Sequence, residues 1–242
     1  MSPSGDTGRH ETVRELLGTH GGTYARQAGI RLRDTPQPLY QLLVLAHLMS
    51  ARIRADVAVA AARALFDAGL KDARHMRAAT WQERVDALGA GGYRRYDERT
   101  STQLGRAAQL VLDEYGGDLR RMHRDAGDDP ERLRGLLQEV PGIGPAGADI
   151  FLREAQGVWP ELAPYLDGRT LDGARRLGLP ADRDELSGLV DRDELPSLAA
   201  ALMRAALDRH VVEDVRGQRE HGGGRRGGGG RRPRAAGQQR KA

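Results

Sequence analysis

The amino-acid sequence predicts an all-α protein, and three observations lead to this fold class. Alanine, leucine and arginine are abundant, whereas aromatic residues make up only 4% of the 242 residues. Apolar residues recur at helical spacing in several segments, and no segment shows the clear period-two alternation of a strand. The longest apolar stretch, 39–49, is interrupted by His47, so we expect a buried helix there and not a membrane span.

The first half of the chain contains five predicted helices. Residues 1–10 are expected to be disordered, and a first helix is expected over 11–17. Pro36 and Pro38 begin a strongly apolar second helix, which continues to about residue 49. Thr80 is a predicted N-cap, because Glu83 three residues later completes a capping box. The other predicted helices of this half span 56–68, 72–77 and 80–87.

Five more helices are predicted in the second half of the chain. Gly116 and Gly117 end the first of them, and Asp128, Asp129 and Pro130 begin the second. These helices span 99–114, 130–139, 145–156, 167–177 and 196–212. Beyond them lies a Gly/Arg-rich tail, residues 216–242, which has too few apolar side chains to pack and is predicted to be disordered.

The net charge of +4 conceals an uneven distribution of charge. Residues 216–242 hold nine of the 38 basic residues and one of the 34 acidic residues, so residues 1–215 carry 29 basic and 33 acidic residues and a net charge of −4. A nucleic-acid surface on this acidic body must therefore be a local patch, or must use backbone amides and the tail. For the tail itself the alternative is a solubilising extension.

The chain contains no cysteine. This excludes disulfides, thiolate zinc sites and a cysteine-ligated iron–sulfur cluster, and we expect no metal and no cofactor. The first residues are rich in Ser, Gly and Asp and lack the apolar run of a signal peptide. These features are typical of an intracellular protein.

The segment from Val140 to Ala146, with the sequence VPGIGPA, predicts a tight glycine hairpin between two helices. Gly142 and Gly144 permit positive φ angles and the close approach of a phosphate. Free N–H groups at the start of the following helix favour an anion. The residues expected to contact a DNA backbone in this way are Gly142, Ile143, Gly144, Ala146 and Gly147. The alternative is a helix–helix turn that binds nothing.

Asp167 follows the apolar pair Tyr165-Leu166 and precedes a predicted helix. Its simplest role is that of an N-cap, which aspartate fills readily. A carboxylate in this position can also stabilise a cation that forms beside it, and the two roles are compatible. Asp149 and Asp172 are nearby carboxylates that spacing alone does not exclude.

Taken together, residues 36–179 resemble the helix-hairpin-helix DNA glycosylase superfamily, and the endonuclease III group in particular. Residues 48–52 (LMSAR) are similar to the LLSAQ segment of that group, and Gly92-Tyr93 is similar to the start of its G-[LY]-x-x-x-K-A region. The VPGIG hairpin matches the family's L-P-G-[VI]-G hairpin, and Asp167 falls on its invariant aspartate. The hairpin together with the aspartate is the more specific part of this signature.

The resemblance implies a two-lobed helical fold with a central cleft, in which a damaged base is flipped out of duplex DNA and its N-glycosidic bond is hydrolysed. Asp167 would stabilise the oxocarbenium-like sugar and orient a water molecule. Arg52, in place of the family's glutamine, would fill the hole that the flipped base leaves. Duplex DNA is then the partner, with no membrane, and we expect a monomeric cytoplasmic protein, bound to the bacterial nucleoid through DNA.

The same resemblance implies a division of the chain into four parts. Residues 1–35 would form an N-terminal extension that packs on the second lobe, and residues 36–140 would form the helical lobe. Residues 141–215 would contain the hairpin, the catalytic aspartate and the C-terminal helices. Residues 216–242 are the tail.

Departures from the family pattern narrow the expected activity. Bifunctional members carry a lysine two residues after the second hairpin glycine, where this chain has Ala146, so a glycosylase without lysine-dependent lyase activity is expected. Ala46 stands where adenine-removing members have a glutamate, and the adjacent His47 is interpreted as a core residue. Two alternatives stay open: a non-catalytic DNA-binding or damage-recognition protein, and an alkylated-base glycosylase.

An alkylated-base enzyme would need aromatic faces on which a cationic purine can stack. The aromatic residues expected near the cleft are Tyr93, Tyr96 and Trp159, and for each of them core or surface packing is the alternative.

Overall fold

The computed structural model describes residues 3–127 and 129–223, and within them it contains helices and loops but no strand. The predicted all-α fold class is therefore confirmed. Asp128 and the tail beyond Gly223 lie outside the described residues.

Eight helices form the first part of the chain. Thr80 and Glu83 form the predicted capping box, and Gly116 ends the seventh helix in the left-handed conformation at φ +61°. The helices are α1 (Pro3–His20), α2 (Tyr24–Gln27), α3 (Pro36–Ser50), α4 (Ala55–Asp67), α5 (Ala73–Ala78), α6 (Trp81–Ala90), α7 (Asp97–Tyr115) and α8 (Leu119–Ala126).

Six helices follow in the second part. Asp129 caps the first of these, accepting hydrogen bonds from the N–H groups of Glu131 and Arg132 at 2.9 and 3.3 Å. The helices are α9 (Pro130–Glu139), α10 (Pro145–Ala155), α11 (Gly168–Arg176), α12 (Arg183–Ser187), α13 (Leu195–Leu207) and α14 (Arg209–Gly223).

The structure corrects three of the predicted boundaries. The first helix begins at Pro3, within the segment expected to be disordered. The single helix predicted over 196–212 is two helices, because Asp208 is extended and its side chain accepts the N–H of His210 at 2.9 Å to begin α14. Helix α14 continues to Gly223, so the first residues of the predicted disordered tail are helical.

Two hydrophobic cores organise these helices. The first core contains side chains from α3, α4, α7 and α10, with the fully buried Leu42, Leu65 and Phe151 among them. The second core contains side chains from α1, α11, α13 and α14, including Leu16 and Leu198. Two lobes of unequal size follow from this arrangement.

The division between the two cores does not fall at residue 141, the boundary expected from the sequence. Helix α10 directly follows the hairpin, yet its side chains Ala148, Phe151 and Leu152 lie in the first core. The first core continues to Leu162, and the second resumes at Leu166. The hairpin therefore belongs to the larger lobe, because the apolar face of α10 packs against α3.

Helices α11 and α13 pack closely at Gly173. A side chain at this position would overlap the backbone carbonyl of Leu202 on α13. The absence of a Cβ thus allows the two helices to approach, and their contact fixes the position of Asp167, which caps α11.

Candidate functional site

The hairpin between α9 and α10 is a closed turn with a buried interior. Val140 and Ile143 are 1% and 4% exposed, and the N–H of Ile143 donates to the carbonyl of Val140 at 2.9 Å. The side chain of Ile143 thus anchors the turn in the core, and only its backbone can face a ligand. Gly144, Pro145 and Ala146 form the accessible edge of the turn.

Gly142 is the one hairpin glycine that adopts the left-handed conformation, with a φ of +91°. A Cβ at this position would also overlap the imidazole ring of His47 beneath it. Gly144 has an extended backbone at φ −95° and does not use the positive φ that a glycine permits. Open space surrounds the position of its missing Cβ, which leaves room for a ligand to approach the backbone.

The N-terminus of α10 has no side-chain cap. Pro145 occupies the first helical position, and the N–H groups of Ala146 and Gly147 in the first turn have no acceptor within the helix. Gly147 is buried, and a Cβ on it would lie 3.3 Å from Cγ2 of Ile143 and 3.4 Å from Cβ of Ser50. Glycine at 147 therefore also serves the close packing of α10 on α3.

A cleft of about 900 Å³ runs beside this helix end. One wall comes from the larger lobe and includes Met49, Arg52 and Ala146; the other comes from the smaller lobe and includes Asp167 and Met203. The structure thus brings the hairpin edge, Arg52 and Asp167 into one cavity between the two cores. Cavities of this size hold small molecules or single nucleotides in other proteins.

Asp167 is the N-cap of α11, as predicted. Its Oδ1 accepts the backbone N–H of Thr170 at 2.9 Å, and its side chain is 13% exposed. Its Oδ2 accepts a hydrogen bond from Nη1 of Arg153, whose side chain is 9% exposed. Each carboxylate oxygen has two acceptor sites, so each keeps one site for a further donor.

Asp149 and Asp172, the two alternative carboxylates, also line the cleft. Oδ1 of Asp149 accepts both Nε of Arg134 at 2.7 Å and the hydroxyl of Tyr165 at 2.8 Å. Asp172 pairs with Arg175, and both of these side chains are more than half exposed. Asp167 is the most enclosed of the three carboxylates, with 13% of its side chain exposed against 21% for Asp149 and 60% for Asp172.

Arg52 is exposed and lines two cavities at once. The second cavity, of about 320 Å³, lies on the other side of residues 50–52 and is lined by Gly142 of the hairpin and by Gln103, Tyr93 and Tyr96 among others. An arginine between the two spaces has room to extend toward either.

His47 lies in the wall of this second cavity and is 4% exposed. Burial lowers the pKa of its imidazole to about 4, so the ring is neutral at pH 7. Its Nε2 lies 3.3 Å from Oε1 of Gln103. The expectation of a core histidine is confirmed, and the structure adds that the ring supports Gly142.

Two of the three aromatic residues expected near the cleft are buried in the core, and an aromatic residue from another part of the chain lines the cleft. Trp159 is 3% exposed, stacks on His123 at 4.1 Å and donates to Asp34 at 2.9 Å, so it is a core residue. Tyr93 is 1% exposed and is also buried. Tyr24, which the sequence did not single out, is the aromatic side chain that lines the main cleft.

Hydrogen bonds to Glu154 hold the backbone of Tyr24 beside the cleft. The carboxylate of Glu154, on α10, accepts the backbone N–H groups of Tyr24 at 2.8 Å and Ala25 at 3.3 Å. This connection spans 130 residues of sequence, and burial raises the pKa of Glu154. No local sequence signal indicates such a contact.

Comparison with known proteins returns no matching family model and no matching curated protein. Among solved structures, a trapped covalent intermediate of endonuclease III with DNA, an estranged-adenine complex, is similar at 16% identity and a TM-score of 0.45 over 83% of this chain and 86% of that chain. A non-covalent endonuclease III–DNA complex is similar at 18% identity and a TM-score of 0.45, over 81% of this chain and 84% of that chain.

No described helix has both the length and the apolar character needed to cross a bilayer. No group of three or more His, Cys, Asp or Glu side chains in this part of the chain is arranged to hold a metal ion.

Proposed function

We propose that this protein is a monofunctional DNA glycosylase, which hydrolyses the N-glycosidic bond of a damaged or modified base flipped out of duplex DNA. One observation carries the proposal: the uncapped amide end of α10 and the enclosed carboxylate of Asp167 line the same cleft between two helical cores. An anion site beside a carboxylate is the arrangement needed to hold a sugar–phosphate while its sugar becomes cationic.

Each element has a distinct part in the proposed reaction. The uncapped N-terminal end of α10 holds a backbone phosphate at Ala146, the exposed first-turn residue that lines the cleft. Arg52 enters the space that the flipped nucleotide vacates. Asp167 stabilises the oxocarbenium-like sugar through its charge and orients the attacking water through a free acceptor site.

The proposed reaction stops at base removal. Ala146 lines the cleft and has no amine with which to form a Schiff base. The chain has two lysines, Lys71 and Lys241; Lys71 lies beside the N-terminal end of α3, whereas the cleft lies at its C-terminal end. Strand cleavage is therefore expected only after alkali treatment of the abasic product.

A non-catalytic DNA-binding or damage-recognition protein is the second candidate. The ion pair between Arg153 and Asp167 favours it, because the guanidinium offsets part of the negative field that catalysis would use. An alkylated-base glycosylase is less well supported. The ring of Tyr24 carries the guanidinium of Arg204 at 4.3 Å from its centroid, so this face already has a cation.

A panel of duplex oligonucleotides, each with one modified base, tests the proposal. The full-length protein is incubated with each duplex, and the products are separated with and without alkali. Strand breaks that need alkali support the proposal, and breaks without alkali contradict its monofunctional part. If no lesion gives a product while duplex binding is tight, the non-catalytic candidate replaces it.

A further inference from the structure

A third concave surface, distinct from the cleft and from the cavity beside His47, lies at the other end of α3 from the cleft. It is an open groove of about 960 Å³, lined by residues within 28–33 and 35–41 but not by Asp34, by three residues of α4, and by Lys71. Helix α3 has 15 residues, so its two ends are separated by about 20 Å. We call this surface the basic groove, after its four cationic side chains Arg31, Arg33, Arg63 and Lys71.

These four cations are exposed, and none forms an ion pair with any residue that the structure describes. Asp67 is the one carboxylate residue in the lining. Other arginines of the body are paired: Arg54 with Asp56 at 2.6 Å and Arg120 with Asp118 at 2.7 Å, for example. Four unpaired positive charges in one concavity repel one another, so the groove is a site that an anion would stabilise.

The charge of the groove contrasts with that of the body around it. Residues 1–215 carry a net charge of −4, yet the groove has four cations against one carboxylate. Concave surfaces lined by one sign of charge focus the electric field and attract the opposite charge. The N-terminal end of α3, which has no side-chain cap, adds the positive end of its helix dipole.

We propose that the basic groove binds the phosphodiester backbone of duplex DNA, as a contact surface separate from the cleft. The cations come from three segments of the chain, over a groove far larger than a single phosphate needs, so a polyanion fits it better than a small anion. Phe66, the aromatic residue of the lining, is 5% exposed and offers no face for stacking. Single strands bind largely through such stacking, so the groove suits the backbone of a duplex.

The test compares two fourfold variants of the full-length chain. In the groove variant, Arg31, Arg33, Arg63 and Lys71 are each replaced by Gln. In the control variant, four exposed arginines outside the groove and the cleft are replaced by Gln, which removes the same charge. The control positions are Arg74, Arg124, Arg132 and Arg209. Circular dichroism and thermal melting establish that both variants are folded.

The measurement is the affinity for an undamaged duplex between 50 and 200 mM salt, by fluorescence anisotropy. Log K falls as log salt rises, and each phosphate contact makes this slope steeper by about 0.9. The slope of the groove variant should therefore be less steep than that of the parent by about 2 to 4. For the control variant the change should be less than about 1. Because the duplex is undamaged and only binding is measured, the result does not depend on whether the cleft excises a base.

Three outcomes would overturn the proposal. Equal slopes for the groove and control variants would show that the groove makes no phosphate contact. A loss of affinity for single strands with no loss for the duplex would assign the groove to single-stranded nucleic acid. A loss of affinity for poly-glutamate with no loss for either nucleic acid would assign it to an acidic protein.

Discussion

Arg153 and Asp167 form an ion pair in the wall of the cleft, with 9% and 13% of their side chains exposed. The guanidinium is bonded to Oδ2, while Oδ1 accepts the N–H of Thr170 at 2.9 Å. The carboxylate is therefore held in one orientation from two sides. It is also partly neutralised, so a cation in the cleft would meet the field of an ion pair and not that of an isolated carboxylate.

Removing the arginine of this pair should destabilise the fold. Arg153→Met leaves the enclosed carboxylate of Asp167 without a partner, and breaking such a pair typically costs about 3 to 5 kcal/mol. The double variant Arg153→Met/Asp167→Asn removes both charges and should recover much of that loss. Urea unfolding of the two single variants and the double variant measures the coupling.

The chain offers a matched control for this experiment. Arg175 and Asp172 line the same cleft and form an ion pair in which 58% and 60% of the side chains are exposed. Because water screens this pair, Arg175→Met should cost less than about 1 kcal/mol. A loss as large as that of Arg153→Met would mean that burial does not distinguish the two pairs.

Asp167→Asn should abolish most of the proposed base release while keeping the helix cap. Asparagine caps helices about as well as aspartate, so the hydrogen bond from Thr170 can be retained. Loss of the negative charge should lower the single-turnover rate about 10²- to 10³-fold, the effect of removing one preorganised electrostatic group. Asp172→Asn is the control and should leave the rate nearly unchanged. An unaltered rate in Asp167→Asn would exclude Asp167 as the catalytic group.

Local signals in the sequence predicted much of the fold. The capping box of Thr80 and Glu83, the glycine after α7 and the cap at Asp167 are formed as expected, because each depends on residues within one helical turn. Helix α8 is not among the predicted helices, because it is short and five of its eight residues are charged or histidine; its three buried apolar residues, Leu119, Met122 and Ala126, do stand at helical spacing. The break at Asp208 was missed because apolar residues continue on both sides of it.

The site was less predictable than the helices. The hairpin and Asp167 are local motifs, and the structure places both at one cleft. The ion pair between Arg153 and Asp167 could not be predicted, because nothing in the sequence distinguishes Arg153 from other charged residues on helices. The two side chains meet only because α10 and the start of α11 lie side by side in the fold. Tyr24 is held beside the cleft by a hydrogen bond from its backbone N–H to the carboxylate of Glu154, 130 residues away. Sequence spacing contains no information on such a contact.

Ala146→Lys should add strand cleavage to the proposed base removal. Ala146 is exposed and lines the cleft that contains Asp167, so an amine there can reach the sugar of a nucleotide bound in the cleft. After base release, the amine condenses with the C1′ aldehyde of the ring-opened abasic sugar and water leaves; borohydride reduces the resulting Schiff base to a stable covalent adduct. The adduct is detected by gel electrophoresis. Arg132→Lys, on the exposed surface of α9, is the control and should give no adduct. Absence of an adduct in both variants would argue against a sugar bound beside residue 146.

His47 should make the fold sensitive to mild acid. Burial lowers the pKa of His47 to about 4, below the value of about 6.5 in an unfolded chain. Between these values the unfolded chain binds a proton that the folded chain does not, so stability falls as the pH falls from 6.5 toward 4. His47→Gln removes this contribution and can still donate to Gln103. Between pH 7 and 4.5, the free energy of unfolding of the variant should fall by roughly 2 to 3 kcal/mol less than that of the parent protein; urea unfolding at the two pH values measures both. Equal losses would contradict this assignment.

The tail should supply part of the DNA affinity that the acidic body lacks. Residues 224–242 carry seven basic residues and no acidic residue, and they begin where α14 ends, so their removal leaves the described helices intact. Deleting them should make the fall of log K with log salt, for an undamaged duplex, less steep by up to about 6. The size of the change depends on how many phosphates the tail neutralises. A chain of full length, in which the seven basic residues are replaced by Gln, separates the effect of charge from that of length. If both chains keep the parental slope, the affinity belongs to residues 1–223, and the cleft and the basic groove must account for all of it.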